Sequence, residues 1–305
     1  MSLSPFPLKK GDTIAIIAPA GQLKGLPPFE QGIKVLKEMG FLVKFPRNHW
    51  PGLKYLSDSD ENRGLEFNKA LSDPEVKGLI VMRGGYGCLR MLDQIDLKLI
   101  GKNPKPIVGF SDITILQNFL YENTGLICFH GPVVTSLHNA TNSSLKRMHQ
   151  CLTGNWRTPI APSSPEVLRS APDSSGVLTG GNLASLVTML GTPFDFSWDN
   201  NIVFLEDIDE PLYRVDRMIT QLFLAGKFKN IAGLILGDFS LTSFQDDIEK
   251  IRYREQVWMR VLEICGSTNY PVWANFPCGH CRQNMTLPLG ATAIMKREKT
   301  SLSFL

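Results

Sequence analysis

The chain has 305 residues, of which 43% are hydrophobic and 20% charged, a composition typical of globular proteins and unlike that of disordered or fibrous ones. Its formal net charge of +3 is spread along the sequence instead of being gathered in one arm. This argues against a nucleic-acid-binding or membrane-surface protein. The length suits one large domain or two of ordinary size.

The first half of the chain alternates short β-type runs with longer amphipathic segments. Strands are expected at residues 13–18, 41–45, 78–82, 106–110 and 126–129, and helices at residues 29–39 and 57–71. Strands separated by helices indicate βαβ units. Such units form a parallel sheet that is covered on both faces.

Beyond residue 135 the pattern changes. Residues 159–175 are rich in Pro and Ser, which suits a linker. Strands are expected after it at residues 177–179, 202–205 and 231–236, and helices at residues 183–190, from 211 onward and at 247–262. We therefore predict an N-terminal domain at residues 1–150, a linker at 151–175 and a C-terminal domain at 176–305.

The termini and the cysteines bear on the compartment. The first seven residues lack the basic start and apolar run of a secretory signal, and no uncharged apolar run is long enough to span a membrane. Six cysteines scattered through apolar segments indicate buried thiols in a reducing compartment. The single CxxC, Cys278 to Cys281, has only His280 nearby. We expect a cytoplasmic protein with no metal and no organic cofactor.

Ser111 lies where a predicted buried strand meets a predicted helix, within residues 109–114. A serine on such a turn is presented at the carboxyl edge of the sheet, where open α/β folds bind ligands. Amide N–H groups at the start of the helix can stabilise an oxyanion there. The segment resembles a nucleophile elbow, although Ile113 stands where the GxSxG motif has its second glycine. The alternative is that Ser111 is a helix N-cap, with Asp112 stabilised by the helix dipole.

A second loop of interest is Arg-Gly-Gly-Tyr-Gly at residues 83–87, directly after a predicted strand. Two glycines at a strand end allow a backbone amide to approach a ligand closely. Residue 90 is arginine where a dinucleotide fingerprint requires glycine, so a dinucleotide site is not expected. A plain tight turn remains the alternative.

The residues alone leave open which base and acid would serve a catalytic serine. The histidines are His49, His130, His138, His149 and His280, of which the last lies in an irregular loop of the kind where catalytic side chains often sit. The acids that directly follow the strand at 202–205 are Glu206, Asp207, Asp209 and Glu210. An acid at a strand end can orient a histidine. Strand alternation puts the first two on opposite faces. The last two precede Pro211, where they suit capping of the next helix or stabilisation of its dipole.

Seven segments, in order along nearly the whole chain, carry a resemblance to a known family. They are residues 11–20 (GDTIAIIAPA), 83–87 (RGGYG), 109–114 (GFSDIT), 130–132 (HGP), 180–183 (GGNL), 205–210 (LEDIDE) and the Gly-His pair at 279–280. Together they resemble the LD-carboxypeptidase family of serine peptidases, which includes muramoyltetrapeptide carboxypeptidases and microcin-C immunity peptidases.

The resemblance implies a catalytic triad. Carried over position by position, Ser111 is the nucleophile, His280 the general base and Glu206 the carboxylate that orients the histidine. The oxyanion hole is formed by the backbone N–H groups of Asp112 and Gly85. The implied fold is an N-terminal flavodoxin-like parallel sheet domain followed by a smaller C-terminal α/β domain, with the triad drawn from both.

The resemblance also implies a substrate. Arg83, Gly84 and Tyr86 are expected to bind it, since the planar guanidinium of Arg83 suits a substrate carboxylate, and Gly84 is the alternative to Gly85 in the oxyanion hole. The expected reaction is hydrolysis of the L,D-amide bond to the terminal D-alanine of cytosolic murein tetrapeptides, in peptidoglycan recycling, through an acyl-enzyme. The expected assembly is a homodimer, without nucleic-acid or membrane partners.

Two other functions stay open. The same chemistry could act on peptidyl or aminoacyl nucleotides, in which case an aromatic side chain would stack on the base, and Trp156, Phe194 and Trp198 are the candidates. A non-catalytic α/β protein that binds a small ligand is the second alternative.

Overall fold

The structure is a computed structural model that describes residues 2–47 and 50–305. Its strands are β1 (Thr13–Ile17), β2 (Leu42–Lys44), β3 (Val76–Val81), β4 (Ile107–Gly109), β5 (Cys128–His130), β6 (Glu166–Arg169), β7 (Ser174–Asn182), β8 (Ile202–Ile208), β9 (Gly233–Ser240), β10 (Val272–Ala274), β11 (Leu287–Leu289), β12 (Thr292–Lys296) and β13 (Ser301–Phe304). Its helices are α1 (Leu26–Glu38), α2 (Asp60–Ser72), α3 (Cys88–Met91), α4 (Lys98–Lys102), α5 (Ile113–Thr124), α6 (Val134–Leu137), α7 (Asn142–Leu152), α8 (Leu183–Met189), α9 (Leu212–Leu224) and α10 (Asp247–Ile264).

The chain divides into two units, and each is built from two stretches of sequence. The N-terminal unit contains the chain up to Trp156 together with Arg282–Gly290. The C-terminal unit contains Arg157–Cys281 and Ala291–Leu305. The predicted domains, in contrast, are continuous stretches, and the predicted linker contains strand β6.

The sheet of the N-terminal unit has six strands in the order β11-β5-β4-β3-β1-β2. Strands β1 to β5 are parallel to their neighbours, and β11 pairs antiparallel with β5 at the edge. The order 2-1-3-4-5 of the parallel strands is that of flavodoxin-like folds, in which ligands bind outside the carboxyl ends of the strands. The predicted flavodoxin-like fold is confirmed.

The sheet of the C-terminal unit has seven strands in the order β13-β12-β7-β8-β9-β10-β6. Strands β7 to β10 run parallel, while β12, β13 and β6 are joined antiparallel at the two sides. The register between β8 and β9 shifts between Leu205 and Asp207. A bulge of this kind redirects a side chain and is common next to functional sites.

Side-chain caps fix where several helices begin. Ser59, Thr141, Asn182 and Asp246 precede α2, α7, α8 and α10, and each accepts a hydrogen bond from a backbone N–H in the first turn of its helix. Within the part of the chain that the structure describes, no helix combines the length and the apolar character needed to cross a bilayer.

Candidate active site

Ser111 lies on a sharp turn between buried strand β4 and helix α5. Its φ is 67°, in the left-handed region that is costly for residues other than glycine. The turn is tight, because a Cβ placed on Gly109 would lie 2.8 Å from the Ile113 side chain. The N-cap residue of α5 is Asp112, so the alternative that Ser111 is the cap is wrong. A strained serine at this point is the geometry of a nucleophile elbow.

The Gly-rich loop at residues 83–87 contacts this turn directly. A Cβ placed on Gly84 would lie 2.8 Å from Cβ and 2.9 Å from Oγ of Ser111, so only glycine leaves the serine in place. Gly85 has a φ of 127°, and a Cβ there would lie 3.0 Å from Cα of Gly21. The backbone of the loop therefore packs against the serine at Gly84 and against Gly21 at Gly85.

Arg83 is half-buried at the start of this loop. One of its guanidinium nitrogens, Nη1, donates to the carbonyl of Gln22 at 2.7 Å. Among residues 2–47 and 50–305, no carboxylate forms an ion pair with it. Burial lowers the pKa of Arg83, as expected for a cation whose hydration is partly removed. A cation on this loop that has no carboxylate partner suits an anionic ligand group.

Tyr86 projects from the loop with half of its surface exposed. Its ring meets the ring of Tyr55 edge-on, with 5.7 Å between the centroids, and Tyr55 is also exposed. The sequence contains no signal for Tyr55, because it lies in an irregular segment far from residues 83–87. The two rings give the N-terminal unit an exposed aromatic surface on its Gly-rich loop.

In the C-terminal unit, Glu206 and His280 form a hydrogen-bonded pair. Glu206 lies near the carboxyl end of β8, is completely buried, and has its Oε2 2.7 Å from Nδ1 of His280. The approach depends on Gly279, whose φ is 105°, since a Cβ there would lie 2.6 Å from the same Oε2. With Nδ1 engaged by the carboxylate, Nε2 is the nitrogen left to exchange a proton.

The charges around His280 favour its protonated form. Burial of the ring acts against that form, but the charge and hydrogen bond of Glu206, followed by the charges of Asp207 and Asp238, outweigh burial. The pKa of His280 is therefore raised above its ordinary value. A base with this environment accepts a proton more readily than a free imidazole.

The neighbouring acid, Asp207, has different partners. Its two carboxylate oxygens accept from Asn182 Nδ2 and from the backbone N–H of Ala184, each at 2.9 Å, at the start of α8. Burial, and then the charge of Glu206, raise its pKa to about 7. Asp207 thus fixes the beginning of a helix, while Glu206 contacts the histidine.

The expectation that Asp209 and Glu210 cap the next helix is wrong. Helix α9 follows Pro211 and has no side-chain cap. Asp209, with a φ of 60°, instead accepts from the N–H and hydroxyl of Thr242 at 2.6 and 2.8 Å, and Glu210 pairs with Arg214 at 3.6 Å. The chain direction at this bend, which the sequence does not reveal, turns the Asp209 carboxylate toward a different loop.

The cysteines beside the histidine are held protonated. Burial first, and then nearby negative charges, raise the pKa of the Cys278 thiol well above its usual range and that of Cys281 to about 12. A thiol must lose its proton before it binds a metal ion or attacks an electrophile. Over the residues that the structure describes, no group of three or more His, Cys, Asp and Glu side chains is placed to hold a metal ion.

The other histidines lie in ordinary structural positions, apart from His49, which is outside the described residues. His130 is buried in β5 with its ring 6.1 Å from that of Phe110, and His149 in α7 lies 5.9 Å from the ring of Phe41. His138 follows the short helix α6.

The aromatic residues considered for base stacking differ in exposure. Trp156 and Trp198 are buried, and Trp198 packs edge-on against Phe228 with 5.8 Å between ring centroids. Phe194 keeps part of its surface exposed. Only Phe194 of the three could therefore present a face to a ligand without rearrangement.

Comparisons with known proteins identify the family of both parts of the chain. Residues 14–131 match the model of the LD-carboxypeptidase N-terminal domain, and residues 175–295 that of the LD-carboxypeptidase C-terminal domain. A probable murein peptide carboxypeptidase of Bacillus subtilis (strain 168) is 34% identical, with 99% of this chain and 94% of that protein aligned. Among solved structures, an MccF-like protein of Bacillus anthracis str. Ames has a TM-score of 0.88 at 26% identity, covering 100% of this chain and 99% of that one. A muramoyltetrapeptide carboxypeptidase of Oxalobacter formigenes has a TM-score of 0.78 at 29% identity, covering 96% and 97%.

Proposed function

Because this chain belongs to the LD-carboxypeptidase family, we propose that it is a serine carboxypeptidase that removes the terminal D-alanine from murein tetrapeptides. The observation that carries the proposal is the 2.7 Å hydrogen bond between Glu206 Oε2 and His280 Nδ1, which prepares a base in the right tautomer. The substrate rests on relatives whose names specify murein or muramoyl peptides.

The proposed first step is acylation of Ser111. Nε2 of His280 takes the hydroxyl proton while Oγ attacks the carbonyl of the L,D-amide bond. The carbonyl oxygen becomes an oxyanion bound by the N–H groups of Asp112 and Gly85. Glu206 stabilises the imidazolium, which then passes its proton to the departing D-alanine nitrogen.

The second step is hydrolysis of the acyl-enzyme. Water enters the place of the leaving D-alanine, His280 removes its proton, and the hydroxide oxygen attacks the ester carbonyl. Collapse of the second oxyanion breaks the bond to Ser111, whose Oγ regains its proton from His280. The proposal needs no metal or organic cofactor, because the base, the nucleophile and the oxyanion donors are all protein groups.

A carboxypeptidase must also recognise the free carboxylate at the end of its substrate. Arg83 supports this role, since it lies on the loop that contacts Ser111 and no carboxylate among the described residues neutralises it. A guanidinium can bind a carboxylate through two parallel hydrogen bonds. Gly84 and Tyr86, from the same loop, would complete the contact with the substrate.

The test combines chemical labelling with an assay of the substrate. A fluorophosphonate should phosphonylate Ser111, with loss of fluoride and transfer of the serine proton to His280, and peptide mass spectrometry should place the adduct on residue 111. Purified protein should then release D-alanine from murein tetrapeptide, and Ser111→Ala should do neither. Wild-type protein that is folded but unlabelled would instead be the non-catalytic ligand-binding protein of the second alternative.

A second candidate function is hydrolysis of peptidyl or aminoacyl nucleotides, favoured by the close similarity in fold to an MccF-like protein. The burial of Trp156 and Trp198 removes two of the three aromatic candidates for base stacking and leaves Phe194, which is partly exposed. Measuring kcat/KM for murein tetrapeptide beside an aminoacyl nucleotide amide decides between them. A higher value for the nucleotide would overturn the murein proposal while keeping the catalytic residues.

We further propose that the enzyme acts as a homodimer in the cytoplasm on free peptides recycled from peptidoglycan. Both expectations come from the resemblance to the LD-carboxypeptidase family, whose domain models match the chain. Light scattering on the purified protein tests the homodimer, and a single-chain mass at micromolar concentration would contradict it.

A further inference from the structure

One peptide group in the N-terminal unit is bound from both sides by buried charged residues. The carbonyl of Gly87 accepts from Nη1 of Arg63 at 2.9 Å, and the adjoining N–H of Cys88 donates to Oδ2 of Asp112 at 2.8 Å. This peptide group ends the Gly-rich loop whose other end contacts Ser111. A cation therefore lies at its oxygen and an anion at its nitrogen.

Arg63 reaches the loop from helix α2 and is buried, with 1% of its surface exposed. Its Nη1 also donates to the carbonyl of Pro19, in the segment that follows β1, and its Nη2 pairs with Asp60. A buried charge is costly unless its donors are hydrogen-bonded. Here two backbone carbonyls and one carboxylate accept from Nη1 and Nη2, while Nε has no partner among the described residues. The guanidinium thus joins α2 and the segment after β1 to the end of the Gly-rich loop.

Asp112 links the same loop to the nucleophile turn. It is the N-cap residue of α5, yet its carboxylate makes no cap hydrogen bond to that helix and binds Cys88 instead. The side chain is buried, with 5% of the residue exposed. Asp112 also supplies one of the two N–H groups proposed for the oxyanion hole. Its carboxylate binds the end of the loop that carries the other donor, Gly85.

We infer that Arg63 and Asp112 are positioning residues, which set the distance between the two N–H donors of the oxyanion hole by fixing the Gly87–Cys88 peptide group. The inference rests on the proposed function, since it concerns donors that act only if Ser111 is the nucleophile. Donors of this kind are effective only when they lie about 3 Å from the developing oxyanion, with a tolerance of about 0.5 Å. Neither side chain touches the reacting atoms; each acts through the backbone.

The close packing at Gly87 supports this interpretation. Gly87 has a φ of 121°, and a Cβ there would lie 2.5 Å from Cδ2 of Leu56 and 3.0 Å from Nη1 of Arg63. The loop end rests on the guanidinium with no room for a side chain. At its other end the loop is held by the carbonyl of Gly84, which accepts from the N–H of Gly21 at 3.2 Å.

The experiment compares two buried arginines of the same unit. Arg147 is also buried and also donates to backbone carbonyls, those of Thr286 at 3.0 Å and Trp156 at 2.8 Å, but it does not contact the Gly-rich loop. Arg63→Met and Arg147→Met should lower the melting temperature to a similar extent. At a temperature where both are folded, Arg63→Met should be labelled by a fluorophosphonate at Ser111 about 10- to 100-fold more slowly than Arg147→Met.

Two variants of Asp112 provide the second measurement. Asp112→Ala should slow labelling by a similar factor, while Asp112→Asn, which keeps an oxygen for the Cys88 N–H, should recover most of the rate. With substrate, the loss should fall on kcat and leave KM nearly unchanged, because the oxyanion forms only in the transition state.

The outcomes separate this inference from the proposed function. Wild-type protein that is not labelled at Ser111 defeats the proposed function and the inference together. If the wild type is labelled and Arg63→Met reacts as fast as Arg147→Met, the inference alone is wrong and Arg63 serves stability only. Should Arg63→Met not fold, equal labelling rates for Asp112→Ala and Asp112→Asn would overturn it.

Discussion

The Ser111 turn and the Glu206–His280 pair depend on different structural features. Around Ser111 the critical features belong to the backbone: a left-handed serine, glycines that leave no room for a Cβ, and amide groups held in place. Around His280 they belong to side chains: a fully buried carboxylate, a histidine with a raised pKa, and two further acids nearby. The first region depends on backbone conformation and the second on the protonation of a histidine. The two should therefore respond differently to substitution.

The largest expected effect separates strain from chemistry at Ser111. Both Ser111→Ala and Ser111→Gly should abolish hydrolysis, with a loss of roughly 10⁶ in kcat, as for the nucleophile of a well-studied serine protease. Because glycine adopts a φ of 67° without cost, Ser111→Gly should also be more stable than Ser111→Ala, by about 1 kcal/mol. Denaturant unfolding of the pair measures this difference. Equal stabilities would mean that the turn is not strained.

Next in size is the loss of the carboxylate that contacts His280. Glu206→Gln should keep the fold and lower kcat by about 10⁴, the effect of the analogous change in a serine protease, because the amide no longer holds the imidazole in the required tautomer. Asp209→Asn should mainly lower stability, since its carboxylate binds Thr242. A larger loss of kcat in Asp209→Asn or Asp207→Asn would show that Glu206 is not the third member of the triad.

A smaller effect is expected from adding one methyl group to the Gly-rich loop. Gly84→Ala places a carbon 2.8 Å from the Ser111 Cβ, which must displace the serine or the loop, and a shift of about 1 Å can cost roughly 10² in rate. Gly101→Ala is the matched control, because a Cβ there meets nothing within 4 Å. If both variants hydrolyse substrate at the wild-type rate, the backbone around Ser111 is more tolerant than its contacts indicate.

The smallest expected effect is a change in the pH dependence of kcat/KM. It should arise only from the Glu206–His280 region. In the proposed mechanism only neutral His280 can act as the base, so kcat/KM should fall as the pH drops below a midpoint higher than the ordinary histidine pKa of about 6.5. Asp238→Asn removes one of the charges that raise this pKa, so it should move the midpoint to lower pH. A midpoint that stays in place, measured by kinetics or by NMR titration of His280, would show that Asp238 does not influence the histidine.

The fold was largely predictable because its signals are local. Apolar runs bounded by turn residues mark the parallel strands, and each can be recognised from a short stretch of sequence. Strand β6 lies in a Pro- and Ser-rich segment and is half-exposed, so hydrophobic pattern gave no sign of it. The pairing of β11 with β5 joins residues more than a hundred positions apart, and no local pattern reports such a contact.

The candidate site was predictable in part. The strand-to-helix position of Ser111 follows from pattern, but the residues alone did not select Glu206 or His280, which came from the family resemblance. Arg63 gave no signal, because an arginine after Asp60 and Glu61 looks like part of an exposed helix face, and only the fold shows that it is buried. The partner of Asp209 was wrongly predicted because a left-handed residue redirects the chain there.

Strand β11 has a consequence for the order in which the protein matures during synthesis. It completes the sheet next to β5, which itself lies beside the strand that leads to Ser111, yet it is synthesised long after β5. Domains generally fold as they emerge, but this sheet keeps an open edge until Leu287–Leu289 have been made. The sheet that carries the Ser111 turn is therefore completed only after Glu206 and His280 have been synthesised.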